Sequence, residues 1–124
     1  MASKFKPEVC EADHHDEQKE AEILSRIPDE DSAVDAADLF SQLADSTRVR
    51  LLSMLCVSDL CVCEMSDMLH MSQPAVSHHL RSLRQSGIVR FKKQGKRASY
   101  YLDPENGETV RQLLNAAFGK KEED

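Results

Sequence analysis

Cys61-Val62-Cys63 places two thiols within a single helical turn, and two thiolates supply half of a tetrahedral metal site. The chain has four cysteines, Cys10, Cys56, Cys61 and Cys63, and in a reducing compartment such a set reads as metal ligands or redox thiols rather than a disulfide framework. Far upstream, Cys10 is followed by Asp13, His14 and His15, all metal-ligand types on a stretch with no other evident duty. Cys10 and His14 joined to Cys61 and Cys63 would make a set of three sulfurs and one nitrogen, suited to Zn²⁺ or to the softer Cd²⁺ and Pb²⁺; Asp13 or His15 could take the fourth place instead. Cys56 falls on an apolar helical run and is expected in the core. Thiolates at a helix start are also nucleophiles, so a redox or persulfide switch is the alternative use of the same sulfurs. A structural zinc or partner-binding module would use them without DNA. There is no phosphate loop or catalytic triad, and a four-ligand site leaves no open coordination position, so an enzyme is not expected.

A second chemistry lies just downstream. Ser72 can cap a helix whose first turn accepts Pro74, whose inward stripe is Val76, Leu80 and Leu83, and whose end is Gly87. Burying that stripe leaves Gln73, Ser77, His78, Arg81 and Arg84 on the outer faces. These are the side chains with which the N-terminal half of a recognition helix reads a major groove: Gln can pair with adenine, Arg with guanine, and Ser or His can reach base edges or phosphates. Each good bidentate pair would discriminate by about 1–3 kcal/mol. Lys92, Lys93, Lys96 and Arg97 suit phosphates, adding affinity without sequence information. His79 borders the apolar stripe and is expected either to hydrogen-bond the neighbouring backbone or to face the DNA, while Tyr100 and Tyr101 are expected to pack within their own hairpin.

The charge distribution agrees. The net charge of −6 is concentrated at the ends: residues 1–40 carry twelve acidic and four basic side chains, whereas residues 41–103 carry five and nine. Between residues 72 and 103, seven Arg or Lys stand against the single acid Asp103, a basic face suited to a nucleic-acid backbone.

The elements that must position these groups follow from periodicity. Residues 1–31 are polar and acidic and predict a flexible arm carrying metal ligands, with a helical turn near Lys19 to Arg26 bearing Ile23, Leu24 and Ile27. Residues 32–119 predict one DNA-binding and dimerisation domain, and residues 120–124 a charged tail. Ala33, Ala36, Ala37, Phe40, Leu43 and Ala44 recur at helical spacing, and Val49, Leu51, Leu52 and Leu55 continue the pattern after a cap at Asp45-Ser46. Val62, Met65, Met68 and Leu69 predict the buried stripe of a third helix, joined by a short turn to the Ser72-capped one as a helix-turn-helix. Ile88 to Phe91 and Arg97 to Leu102 flank a Lys93-Gln94-Gly95-Lys96 turn and predict a two-stranded wing. Val110, Leu113, Leu114, Ala117 and Phe118 mark a last amphipathic helix. The fold class expected is therefore mainly α with a small β-hairpin wing. No run approaches the roughly 18 apolar residues of a membrane span, and Met1 to Glu22 does not resemble a signal peptide, so a cytoplasmic protein without membrane contact is expected.

Taken together, Leu43 to Arg48 with Leu51-Leu52, Asp59 to Met65, Ser72 to Leu83 and Gly95-Lys96 through Tyr100-Tyr101-Leu102 resemble the ArsR/SmtB family of metal-responsive repressors, over most of the chain. The resemblance implies a winged helix-turn-helix homodimer held by its first and last helices. Its DNA would be an inverted-repeat operator, usually at a gene for metal efflux or detoxification. The Leu-Cys-Val-Cys box with an upstream cysteine is most similar to the cadmium-, lead- and zinc-responsive branch, in which the arm of one subunit closes over the thiolates of the other. Cys61, Cys63 and Cys10 match that pattern; His14 stands where a second arm cysteine is usual, which keeps a ligand and shifts the preference toward zinc. Ser66 stands where one arsenic-sensing version carries a further cysteine, leaving arsenite as an alternative only if Cys10 supplies the third sulfur. The last helix has no histidine after Asp103, so the family's other metal site is missing and that helix is expected to serve dimer packing.

Overall fold

The computed structural model describes residues 15–119, and the chain divides into two units between Ala33 and Val34. Cys10, Asp13 and His14 lie outside the described residues. In the first unit, α1 (Glu17–Arg26) covers the segment where a helical turn is expected. Asp16 caps it by accepting from the Lys19 N–H at 3.1 Å, and none of its residues is buried. His15 lies just before it and meets Glu20 at 2.7 Å.

Helix α2 (Glu30–Leu43) starts where Asp29 accepts from the Ser32 N–H at 2.9 Å. The second unit then runs α3 (Ser46–Val57), β1 (Leu60–Cys61), α4 (Val62–Leu69), α5 (Gln73–Gln85), β2 (Val89–Gln94), β3 (Arg97–Leu102) and α6 (Pro104–Phe118). Its core joins Leu51, Leu52 and Leu55 of α3 to Met65 and Leu69 of α4 and to Val76, Leu80 and Leu83 of α5. Ile88, Val89, Leu102, Val110 and Leu114 complete the cluster. Each fully buried aliphatic side chain contributes about 1.5–3 kcal/mol.

Two features depart from the expected pattern. Met68 is not part of the buried stripe: it is half exposed, because the inward face of the short α4 is filled by Met65, Ser66 and Leu69. The wing also has a third strand. The order is β1-β3-β2, all antiparallel, with Leu60 opposite Tyr100 and Cys61 opposite Ser99. A two-residue strand has too little alternation to be legible in a sequence. Between β2 and β3 the pairing continues to Gln94 opposite Arg97, which tightens the turn to Gly95-Lys96 with Gly95 at φ 65°, a conformation that glycine adopts without steric cost.

The sheet is tied to the last helix by Asp103, a buried carboxylate. It caps α6 by accepting from the Glu105 and Asn106 N–H groups and pairs with Arg90 Nε of β2 at 2.5 Å. Those amide bonds, with the Arg90 guanidinium, hold its pKa below the usual carboxylate value. Gly107 is required on the facing turn, since a Cβ there would stand 2.8 Å from Leu102 Cβ. Among the described residues no helix is long and apolar enough to cross a membrane.

Candidate nucleic-acid interface and thiol site

The reading helix α5 is built from local signals. Ser72 Oγ accepts from the Ala75 N–H at 3.2 Å, Pro74 occupies the first turn, and Val76, Leu80 and Leu83 are fully buried. At the far end Gly87 takes φ 74° and the Ile88 N–H donates to the Leu83 carbonyl at 2.9 Å, the closure that lets the chain turn directly into β2. Helix α4 ends three residues before α5 begins. His70 stands there in the left-handed region at φ 55°, and the Met71 N–H donates to the Ser66 carbonyl at 3.1 Å. These are the two helices and tight turn of a helix-turn-helix.

With the inner stripe buried, Gln73, His78, Arg81 and Arg84 are exposed and Ser77 is half-buried. Arg84 lies over the Phe91 ring of the wing, 4.1 Å from its centroid, and with Arg81, Arg90, Phe91 and Tyr101 lines a groove of about 630 Å³ between α5 and β2. Lys93, Lys96 and Arg97 are exposed on the wing, whereas Lys92 meets Asp59 at 3.3 Å. Tyr100 packs on Phe91 with centroids 5.8 Å apart, so it is a strut of the wing. His79 accepts from Arg48 Nε at 3.3 Å, and Arg48 also donates to Gln42 Oε1, which receives the Ser82 hydroxyl. This network ties α2, α3 and α5 together. It was not legible in the sequence, because its members come from three separate elements.

The thiols stand at the start of α4. Cys61 is its N-cap residue and is buried; Cys63, two residues on, is exposed. Glu64 turns back to accept from the Cys61 N–H at 3.0 Å, one half of a capping box, and that bond holds the Glu64 carboxyl below its usual pKa. Both cysteines line one shallow cavity of about 190 Å³ beside the wing, with Val62, Lys96, Arg97, Ala98 and Tyr100. Gln73 Nε2 donates to Cys63 Sγ at 3.4 Å, joining the reading helix to the thiol cavity. Cys56 is half-buried against the core, and burial pushes its thiol pKa up, in keeping with its expected structural role.

Two thiols in one cavity fit a thiophilic cation as half of its ligand set. Among the described residues no group of three or more His, Cys, Asp or Glu side chains could hold a metal ion. Ser66, at the position of the missing further cysteine, is buried and gives its hydroxyl to the Met71 carbonyl.

A polar-faced helix on a buried stripe, flanked by a basic antiparallel hairpin, defines a winged helix-turn-helix of the DNA-binding type. Comparisons with known proteins agree. Residues 45–90 match the family described as "Bacterial regulatory protein, arsR family". Over 112 residues the chain is 34% identical to the "Cadmium resistance transcriptional regulatory protein CadC homolog" of Staphylococcus aureus, spanning 90% of this chain and 89% of that protein. It is 39% identical over 85 residues to the "Transcriptional repressor SmtB homolog" of Synechocystis, 68% of this chain and 61% of that one. Among solved structures, HlyU from Vibrio cholerae superposes with a TM-score of 0.67 at 31% identity, covering 74% of this chain and all of that one. The chain therefore belongs to the ArsR/SmtB family of transcriptional repressors, and within it to the CadC-like branch. Those two relatives are named as regulators of transcription.

Proposed function

We propose that this chain is a cytoplasmic metal-sensing repressor that binds an inverted-repeat operator as a homodimer and is released when Cys61 and Cys63, joined by Cys10 and His14, capture Cd²⁺, Pb²⁺ or Zn²⁺. Release would derepress genes of metal efflux or detoxification. The observation that carries the reading is that both thiols stand in one cavity at the start of the helix preceding the reading helix. The name of the cadmium-resistance relative supports a metal inducer in general. On the DNA side, Gln73, Ser77, His78, Arg81 and Arg84 read bases while Lys92, Lys93, Lys96 and Arg97 hold phosphates. Metal and operator must then weaken each other by the same factor.

Titration with Cd²⁺ under reducing conditions tests this. Thiolate-to-metal charge-transfer absorption should grow as the operator duplex is released. A Cys61→Ser, Cys63→Ser double variant that still released its duplex on adding Cd²⁺, Zn²⁺ or Pb²⁺ would end the proposal. One observation favours a second reading, a thiol redox or persulfide switch: Cys61 and Cys63 line one cavity two residues apart, so a sulfur oxidised at one position has a second thiol beside it. Release by peroxide or persulfide together with indifference to metal would select that reading. Arsenite is a further alternative that requires Cys10 to supply the third sulfur, because Ser66 stands where a further cysteine would be needed.

A further inference from the structure

We propose that the side-chain amide of Gln73 is the coupling element of this repressor, serving either Cys63 sulfur or a DNA base edge but not both. The inference rests on the metal-release reading above and names the residue through which release is transmitted. Gln73 Nε2 donates to Cys63 Sγ at 3.4 Å, the contact by which the first residue of α5 reaches across to the start of α4. Both residues are exposed, so the bond adds little to the core. It is not needed for either helix start. Ser72 caps α5 through the Ala75 N–H, and Glu64 closes the start of α4 on the Cys61 N–H. The amide is therefore free to be used elsewhere, and it stands on the first turn of the reading helix, the part that contacts base edges.

The chemistry sets the direction. A thiol sulfur is a weak acceptor, and the 3.4 Å separation suits a bond that a base can displace. A metal-held thiolate is deprotonated and accepts only, and hydrogen bonds to ionised acceptors are roughly twice as strong as neutral ones. A cation on Cys63 thus tightens sulfur's hold on the Gln73 amide and withdraws it from the operator. Donors to ligating groups commonly shift metal affinity as well. By reciprocity, DNA that engages Gln73 loosens the metal.

The test compares the chain with Gln73→Met, which keeps the length of the side chain and removes the N–H. The probes are Cd²⁺ and a duplex selected from a randomised pool by the metal-free protein. Both proteins should develop the charge-transfer band, and Cd²⁺ should weaken duplex binding by a factor at least about fivefold smaller in the variant, within the 5–150-fold range usual for coupled sites. An equal factor in both would overturn the inference alone and leave the metal reading intact. If the unsubstituted chain forms the band and keeps its duplex, the metal reading itself falls. Should Gln73→Met fail to bind any duplex, the side-chain amide resonance of Gln73 in the unsubstituted chain decides. A downfield shift with slowed hydrogen exchange on adding Cd²⁺ supports the coupling, and an unmoved resonance overturns it.

Discussion

Helix α2, with seven apolar residues in fourteen, and helix α5, with four in thirteen, place them on opposite terms. In α5 Val76, Leu80 and Leu83 are fully buried; in α2 none of the fourteen residues is buried, and Val34 and Phe40 remain more than half exposed. Helical periodicity alone gives the same instruction in both places, an amphipathic stripe. The difference teaches that a stripe names a face without naming what covers it. For α5 the cover is α3, α4 and the wing. For α2 the homodimer proposed above supplies a cover, and single exposed apolar residues would otherwise need none.

The largest effect expected from breaking this contrast is at Leu83. Leu83→Ala removes a fully buried side chain of α5 and should cost about 2–5 kcal/mol in urea unfolding; a cost near zero would mean the core is not what holds α5. Phe40→Ala sharpens the other side. It should leave monomer folding within about 0.5 kcal/mol. If α2 is covered by a second copy, it should also weaken self-association in sedimentation by about 1.5–3 kcal/mol. A dimer of unchanged affinity would remove α2 from the interface. Ser72→Ala deletes the cap of α5 and should cost about 1 kcal/mol, with fraying of the first turn visible as faster amide exchange at Ala75.

The smallest effect is one of pH. The cap of α2 is Asp29, whose pKa is lowered by the Ser32 hydroxyl and then by the Ser32 N–H, while the cap of α5 is a serine that does not titrate. A carboxylate with a folded pKa below its unfolded value stabilises above the unfolded pKa and loses that contribution as pH falls through the folded value. Acidification below pH about 4 should therefore fray the first turn of α2 before that of α5. Amide exchange at Ser32 and Ala75, followed on one sample, reads the order, and Asp29→Asn should abolish the pH dependence at Ser32.

Much of the scaffold was legible because its signals are local. Ser72, Pro74 and Gly87 mark α5 through bonds made within a turn of where they stand, and Asp45 does the same for α3 through the Arg48 N–H. The charge split between residues 41–103 and the ends likewise pointed to the basic reading face before any fold was known. The thiols of Cys61 and Cys63 were legible as a pair.

Other features were decided by the way the elements meet. Met68 fits the helical stripe of α4 but faces outward, since which apolar residue is covered depends on the neighbouring helix and not on spacing. Strand β1 exists only because β3 offers it an edge. Arg48 finds His79, and Gln73 finds Cys63, across chain separations where no periodicity operates. The sequence by itself determined the main helical stripes, the caps at Asp45 and Ser72 and the chemistry available, because those rest on hydrogen bonds and periodicities spanning a few residues. Only the tertiary structure decided that the reading helix would hand a side-chain amide to a thiol, because that contact depends on the packing of α4 against α5.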